Sequence, residues 1–190
     1  MLTDLVDNRY TDKNTTHSYL PLYDELLKSR KETARAVLEV GVCWGGGGSI
    51  ALWHRYFTNA VVHGLDILSD YPELLQNRGD WPRVQLQLGV NAYTVDVASK
   101  VAAISGKLDM ALDDGPHTLE SMLSFIALYL PLIADDGILI IEDVQDYAWF
   151  ESLKAAVPAD MQSAIQTYDR REIKQRYDDL VFVVDKSLLR

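Results

Sequence analysis

The chain has 190 residues, 48% hydrophobic and 24% charged, with a formal net charge of −10 and one cysteine, Cys43. That length favours one domain, 1–190, with a full core, and the acidic balance argues against a nucleic-acid partner. No apolar run approaches the roughly 20 residues a membrane span needs, the polar N-terminus is unlike a secretory signal, and a lone cysteine leaves no internal disulfide and fits a cytoplasmic setting.

In chain order, residues 1–17 read as an extended arm and 18–29 as a helix packing through Leu20, Leu22, Leu26 and Leu27. Apolar runs at 36–42, 61–67, 83–88, 108–112 and 137–141 read as strands, several stopped by glycine or by Asn and Asp. Between them lie helical patterns at 49–57, 72–76, 94–104 and 118–133, the last with Leu119, Leu123, Ile126, Leu130 and Ile133 on one side. A helix over 147–157 stops near Pro158, and 164–168 and 180–185 read as late strands paired with each other. The basic cluster Arg170, Arg171, Lys174 and Arg176 reads as a solvated face. Strand–helix alternation predicts an α/β architecture, a parallel sheet with helices on both faces and right-handed connections. Buried parallel strands read as continuous apolar runs, as these do.

In open parallel sheets ligands sit beyond the carboxyl ends of the strands. The first strand ends in Glu39-Val40-Gly41, followed by Cys43-Trp44-Gly45-Gly46-Gly47-Gly48-Ser49. Glycines let the backbone turn and approach a ligand closely. Ser49, at the next helix start, can cap it and offer an amide to a carboxylate. Asp66 at the end of the second strand is placed to accept bonds from ribose hydroxyls. There is no G-x-G-x-x-G, and Glu39 would repel a pyrophosphate, so a dinucleotide suits poorly. A ligand carrying an amino group and a sulfonium suits Glu39 better.

The fourth strand ends in Asp113-Asp114-Gly115-Pro116-His117 and the fifth in Glu142-Asp143. Asp114, Glu142 and Asp143 can supply two or three oxygen ligands to magnesium or another divalent cation, leaving positions for a substrate's oxygens. Such a cation lowers the pKa of a bound hydroxyl. His117 can take the proton as general base. Asp113 is expected to hold backbone amides of the glycine loop.

These segments, with Asp12-Lys13, Thr16-His17-Ser18-Tyr19 and Gly64-Leu65-Asp66-Ile67, resemble class I S-adenosylmethionine-dependent methyltransferases. More narrowly they are similar to metal-dependent small-molecule O-methyltransferases, the group holding the macrolide-sugar enzymes of mycinamicin type and the cephalosporin-biosynthesis enzyme. The resemblance implies a Rossmann-like, mostly parallel seven-stranded sheet with an antiparallel C-terminal strand, and an N-terminal arm and helix, 1–30, covering the site. It implies that Glu39, Gly41 and Ser49 surround the methionine part of S-adenosylmethionine, that Asp66 holds the ribose, and that Gly89 and Asn91 lie near adenine. It matches Asp114, Glu142 and Asp143 to metal ligands and His117 to the base, and folds Lys13, His17 and Tyr19 over the cofactor or acceptor.

Two departures are visible. The loop 43–48 is richer in glycine than the simplest pattern, and Val90 stands where an acidic residue is frequent. The function expected is methyl transfer to a hydroxyl of a small molecule, a sugar or polyol, with no nucleic-acid or membrane partner and self-association left open. The competing readings are a nicotinamide-dependent oxidoreductase and a non-catalytic cofactor-binding subunit. Specificity is expected in the loops 68–81, 145–150 and 168–179, whose aromatics Tyr71, Trp81, Tyr147, Trp149 and Tyr177 individually read as packing.

Overall fold

The computed structural model describes residues 1–189. Seven strands form: β1 Ala36–Val40, β2 Val61–Asp66, β3 Val84–Leu88, β4 Leu108–Asp113, β5 Ile133–Ile141, β6 Ile165–Asp169 and β7 Leu180–Asp185. They pair into one sheet in the order β3-β2-β1-β4-β5-β7-β6. The first five are parallel, and β7 runs antiparallel to both β5 and β6. The continuous apolar runs are explained by position: every residue of β1 and β7 is buried, whereas the edge strands β3 and β6 are only partly so.

Six α-helices, Tyr19–Leu27 (α1), Gly48–Tyr56 (α2), Val95–Ser105 (α3), Leu119–Tyr129 (α4), Trp149–Ala156 (α5) and the single turn Arg171–Lys174 (α6), connect or cover the strands. One core packs α3, α4 and α5 on one face of the sheet through Val97, Phe125 and Leu153. The other packs α1 and α2 on the opposite face through Tyr23, Leu27, Trp53 and Tyr56. Burial of apolar area on both faces is the main stabilising contribution, at roughly 25 cal/mol per Å².

The boundaries differ from the sequence reading at informative places. The helix expected over 118–133 ends at Tyr129, and Leu130–Leu132 is a 3-10 turn. Pro131 lacks an amide hydrogen and so cannot continue the i to i−4 bonding of the α-helix. Ile133 opens β5 four residues ahead of the expected strand start, with an irregularity in pairing that leaves Asp135 and Asp136 exposed. The helix expected at 72–76 is a 3-10 turn, Glu73–Leu75. The basic cluster is mostly a solvated face, since Arg171 pairs with Asp169 and Arg176 with Asp178. Arg170 instead donates to the Ser18 carbonyl at 3.0 Å, tying the loop after β6 to the start of α1. Among the described residues no helix is long and apolar enough to cross a membrane.

Candidate active site

The parallel order places the carboxyl ends of β1, β2, β3, β4 and β5 along one edge of the sheet. At the first of these, Gly41 has φ +85°, and its amide donates to the Leu65 carbonyl at 2.9 Å. A Cβ there would stand 1.8 Å from the Asp114 carbonyl oxygen. Only glycine lets the turn after β1 touch the turn after β4. The Asp114 amide completes the junction by donating to the Val40 carbonyl at 3.0 Å.

Beside that junction opens a cleft of about 620 Å³. Asp66 lies on its wall, fixed by amides of Cys43 (2.7 Å) and Leu68 (2.8 Å). Each oxygen keeps a lone pair for a ligand hydroxyl. Ile67, Leu68, Val90 and Ala92 line the cleft with apolar surface, suited to a flat heteroaromatic ring, and Asn91 adds a polar group. Asp114, Gly115 and Pro116 form the wall nearest β4. Gly89 sits in the turn just before Val90 and Asn91, its amide bonded to the Leu68 carbonyl at 2.9 Å.

The acidic residues meet on the far side of Asp114. Lys13, from the N-terminal arm, is 1% exposed. Its ammonium donates to Asp114 Oδ2 at 2.5 Å and to Glu142 Oε1, and lies 3.3 Å from Glu39 Oε1. Burial alone would lower the Lys13 pKa, but the charges of Asp114, Glu142 and Glu39 hold it well above the ordinary lysine value. Tyr23 donates to Glu142 Oε2 and Tyr19 to Asp143 Oδ1. His17 Nδ1 lies 2.6 Å from Asp179 Oδ1 and 3.3 Å from Asp143 Oδ1.

Besides Glu39 Oε1, which faces Lys13 without a hydrogen bond, two carboxylate oxygens remain, Asp114 Oδ1 and Asp143 Oδ2. His117 Nε2 stands 3.8 Å from the first and 3.7 Å from the second. One ligand atom from each of these three residues falls within 4.8 Å of the others. Both His117 (φ +53°) and Asp143 (φ +54°) adopt left-handed backbone. That conformation costs roughly 1–2 kcal/mol in a residue with a Cβ, and such strain concentrates at functional sites. Burial pushes Asp114 up to about 7, with Glu39 and Asp143 adding to it and Lys13 opposing. Burial and Glu142 likewise push Asp143 up to about 7. Burial and the Lys13 charge push His117 down to about 4, so its imidazole is neutral at neutral pH. The two crowded carboxylates form an oxygen donor pair that fits a divalent cation, with the neutral His117 imidazole beside them.

Of the residues expected at the cofactor, Gly41, Asp66 and Asn91 line the cleft and Gly89 adjoins it. Glu39 does not line it: the carboxylate is fully buried, accepting the Trp53 indole N–H at 2.9 Å and facing Lys13. Ser49 is buried in the first turn of α2. His17 and Tyr19 join Asp143 and Asp179 on the acidic side rather than the cleft. Asp113 holds no glycine-loop amide; its Oδ1 accepts the Tyr93 hydroxyl at 2.5 Å. The loop is held instead by the arm, with Gly48 N donating to the Tyr10 carbonyl at 3.0 Å.

Tyr10, Tyr23, Tyr93 and Asp179 escaped the sequence reading. For Tyr23 a signal existed, because Tyr19 and Tyr23 are four apart and share a helix face. Of the outer-loop aromatics, Tyr71 lies under Arg78 (4.5 Å), Trp81 packs against His54 (5.2 Å) and Trp149 against the core, whereas Tyr147 and Tyr177 are exposed. A second, more open depression of about 660 Å³ lies over residues 169–177.

No family model matches the chain. It is 28% identical over 144 residues to the 8-demethyl-8-alpha-L-rhamnosyl tetracenomycin-C 2'-O-methyltransferase of Streptomyces olivaceus, covering 73% of this chain and 36% of that protein. It is 26% identical over 155 residues to the mycinamicin VI 2''-O-methyltransferase of Micromonospora griseorubida, covering 78% and 37%. Among solved structures it resembles the MycE methyltransferase of the mycinamycin pathway in complex with Mg and SAH. The TM-score is 0.75 at 22% identity, over 99% of this chain and 55% of that one. The chain therefore has the class I methyltransferase fold. The relatives it matches are sugar and macrolide O-methyltransferases, as the motifs at β1, β4 and β5 led us to expect. It spans 36% and 37% of the length of the two sequence relatives named.

Proposed function

We propose that this chain transfers the methyl group of S-adenosylmethionine to a hydroxyl of a small-molecule acceptor, a sugar or polyol carried on a larger natural product. The observation that carries this reading is Asp114, which both walls the cleft and offers Oδ1 to the site shared with Asp143 and His117. A methyl donor in the cleft and an acceptor hydroxyl at His117 would thus share a wall.

Asp66 would accept hydrogen bonds from the ribose hydroxyls, and the apolar wall from Ile67 to Ala92 would cover the adenine. Asp114 and Asp143, with Glu142 adjoining them, would hold a divalent cation, magnesium foremost. When bound, that cation lowers the pKa of an acceptor hydroxyl, and S-adenosylmethionine supplies an electrophilic methyl on sulfur. His117 Nε2 takes the hydroxyl proton, and the adjacent carboxylates stabilise the imidazolium that results. The acceptor oxygen forms its bond to the methyl carbon as the carbon–sulfur bond breaks, giving a methyl ether and S-adenosylhomocysteine. The fixed walls supply orientation, a large share of catalysis in such transfers. A cytoplasmic location belongs to the same reading, on the argument from the lone Cys43.

The test is methyl transfer from labelled S-adenosylmethionine, with magnesium, to a panel of glycosides, polyols and catechols. Labelled product from the native chain, lost in Asp114→Ala with S-adenosylhomocysteine affinity retained, supports the proposal. Full activity in Asp114→Ala or in chelator refutes the metal role. Stabilisation by NAD rather than S-adenosylmethionine in a thermal-shift assay would favour the oxidoreductase reading.

A further inference from the structure

We infer that Trp44 is a cofactor-contacting residue, which with Ile67 and Leu68 forms an apolar cover over S-adenosylmethionine in the cleft. The inference rests on the cofactor reading above and gives a role to the one large side chain of the glycine-rich loop after β1.

The other tryptophans have structural places. Trp53 is fully buried and donates to Glu39 at 2.9 Å. Trp81 donates to the Leu74 carbonyl at 3.2 Å, and Trp149 packs against the core. Trp44 is 85% exposed, and among the described residues its indole makes no hydrogen bond or ring contact. It nevertheless lines the cleft, together with Ile67 and Leu68, which are themselves 68% and 51% exposed. Single exposed apolar side chains are ordinary, but three large ones gathered at one cleft mark a ligand site.

The backbone presents Trp44 in a fixed place. Asp66 takes the Cys43 amide on one oxygen at 2.7 Å and the Leu68 amide on the other at 2.8 Å. One carboxylate thus ties the turn carrying Trp44 to the turn carrying Ile67 and Leu68. A ligand hydroxyl bonded to Asp66 therefore meets both turns. On the far side of Trp44, the Gly46 amide donates to the Cys43 carbonyl at 3.1 Å and the Gly48 amide to the Tyr10 carbonyl at 3.0 Å. A Cβ at Gly45 would stand 2.9 Å from the Tyr10 carbonyl oxygen, and one at Gly46 would stand 3.0 Å from the Tyr10 ring. The glycines let the loop lie against the arm, while Trp44 lines the cleft. An indole suits this ligand in two ways: it offers a broad apolar surface, and its ring face attracts a cation such as the sulfonium.

The experiment is calorimetric titration of S-adenosylhomocysteine into the native chain, Trp44→Ala and Trp44→Phe, with acrylamide quenching of tryptophan fluorescence. Covering about 60 Å² of indole, at about 25 cal/mol per Å², corresponds to about tenfold in affinity, the loss expected in Trp44→Ala. Trp44→Phe should lose less, because an aromatic ring remains. Saturating S-adenosylhomocysteine should lower the quenching of the native chain to the level of Trp44→Phe, whose own quenching it should leave unchanged. Melting temperatures without ligand should be alike, since Trp44 supports no core. A loss under about threefold in Trp44→Ala, or native quenching unmoved by ligand, would overturn the inference and leave the cofactor reading intact. Shielding of Trp44 that rises with protein concentration in the absence of ligand would assign the surface to a second copy and overturn it too. A native chain that binds no S-adenosylhomocysteine would overturn both.

Discussion

Replacing Gly41 by alanine should damage stability and cofactor binding together. The residue has φ +85°, which costs an alanine roughly 1–2 kcal/mol. The new Cβ would also stand 1.8 Å from the Asp114 carbonyl oxygen, so the turn after β4 has to retreat by more than 1 Å. Forcing atoms into such a packed junction adds about 1–3 kcal/mol. The total, about 2–5 kcal/mol, is a large share of the 5–15 kcal/mol typical of a domain. At about 2–4 °C per kcal/mol for this size, the melting temperature should fall by about 4–20 °C. Gly106→Ala is the control, since its φ is +67° but nothing lies within 4 Å of its Cβ. At φ +67° and ψ −129° it should carry a backbone cost of its own and no clash. Urea unfolding followed by circular dichroism measures both, and calorimetry with S-adenosylhomocysteine measures the displaced cleft wall. If Gly41→Ala were no less stable than Gly106→Ala and bound the ligand equally well, the close contact between the two turns would be wrong.

Other outcomes follow from single contacts. Thr118 caps α4 by accepting the Ser121 amide at 3.1 Å, so Thr118→Ala should lose about 1 kcal/mol in urea unfolding; an unchanged midpoint would contradict the cap. Burial and the charge of Asp66 push the Cys43 thiol up to about 12. Below that pH the thiol stays protonated, so alkylation by iodoacetamide at pH 8 should be slower than for the unfolded chain, and equal rates would refute the shift. His117→Ala should lower turnover by about 10²–10⁴-fold, the range for a general base, with ligand affinity little changed. Activity near native would remove His117 from the base role.

The inner strands are legible because each carries a short apolar run bounded by polar or turn residues, and burial on both faces demands no alternation; the edge strands β3 (VQLQL) and β6 (IQTYD) are interrupted by polar residues and only partly buried. Legibility fails where one residue serves two patterns. Ile133 continues the apolar spacing of α4, yet Pro131 has already ended the helix and Ile133 belongs to β5. The insertion of β7 between β5 and β6 follows from chain topology, not from any local run. At the site, Asp114, His117 and Asp143 were legible because strand ends and a four-residue turn deliver them locally. The positions of Lys13 and Glu39 were not. Lys13 reaches Asp114 across 101 positions from an arm without periodic pattern. Glu39 reads as a ligand-facing acid because it precedes the glycine turn, but the Trp53 indole and Lys13 draw it inward. The surplus glycines of the loop answer to a neighbour the sequence does not place beside them, Tyr10 of the same arm.

The proposed placement of S-adenosylmethionine in the cleft beyond β1, β2 and β3 depends on Asp66. Isothermal titration of S-adenosylhomocysteine into the native chain and into Asp66→Asn tests it. Saturable binding by the native chain is expected, with a loss of about tenfold or more in the variant, which is about 1.4 kcal/mol. Equal affinities in the two proteins, or no binding by the native chain where NAD binds, would contradict it.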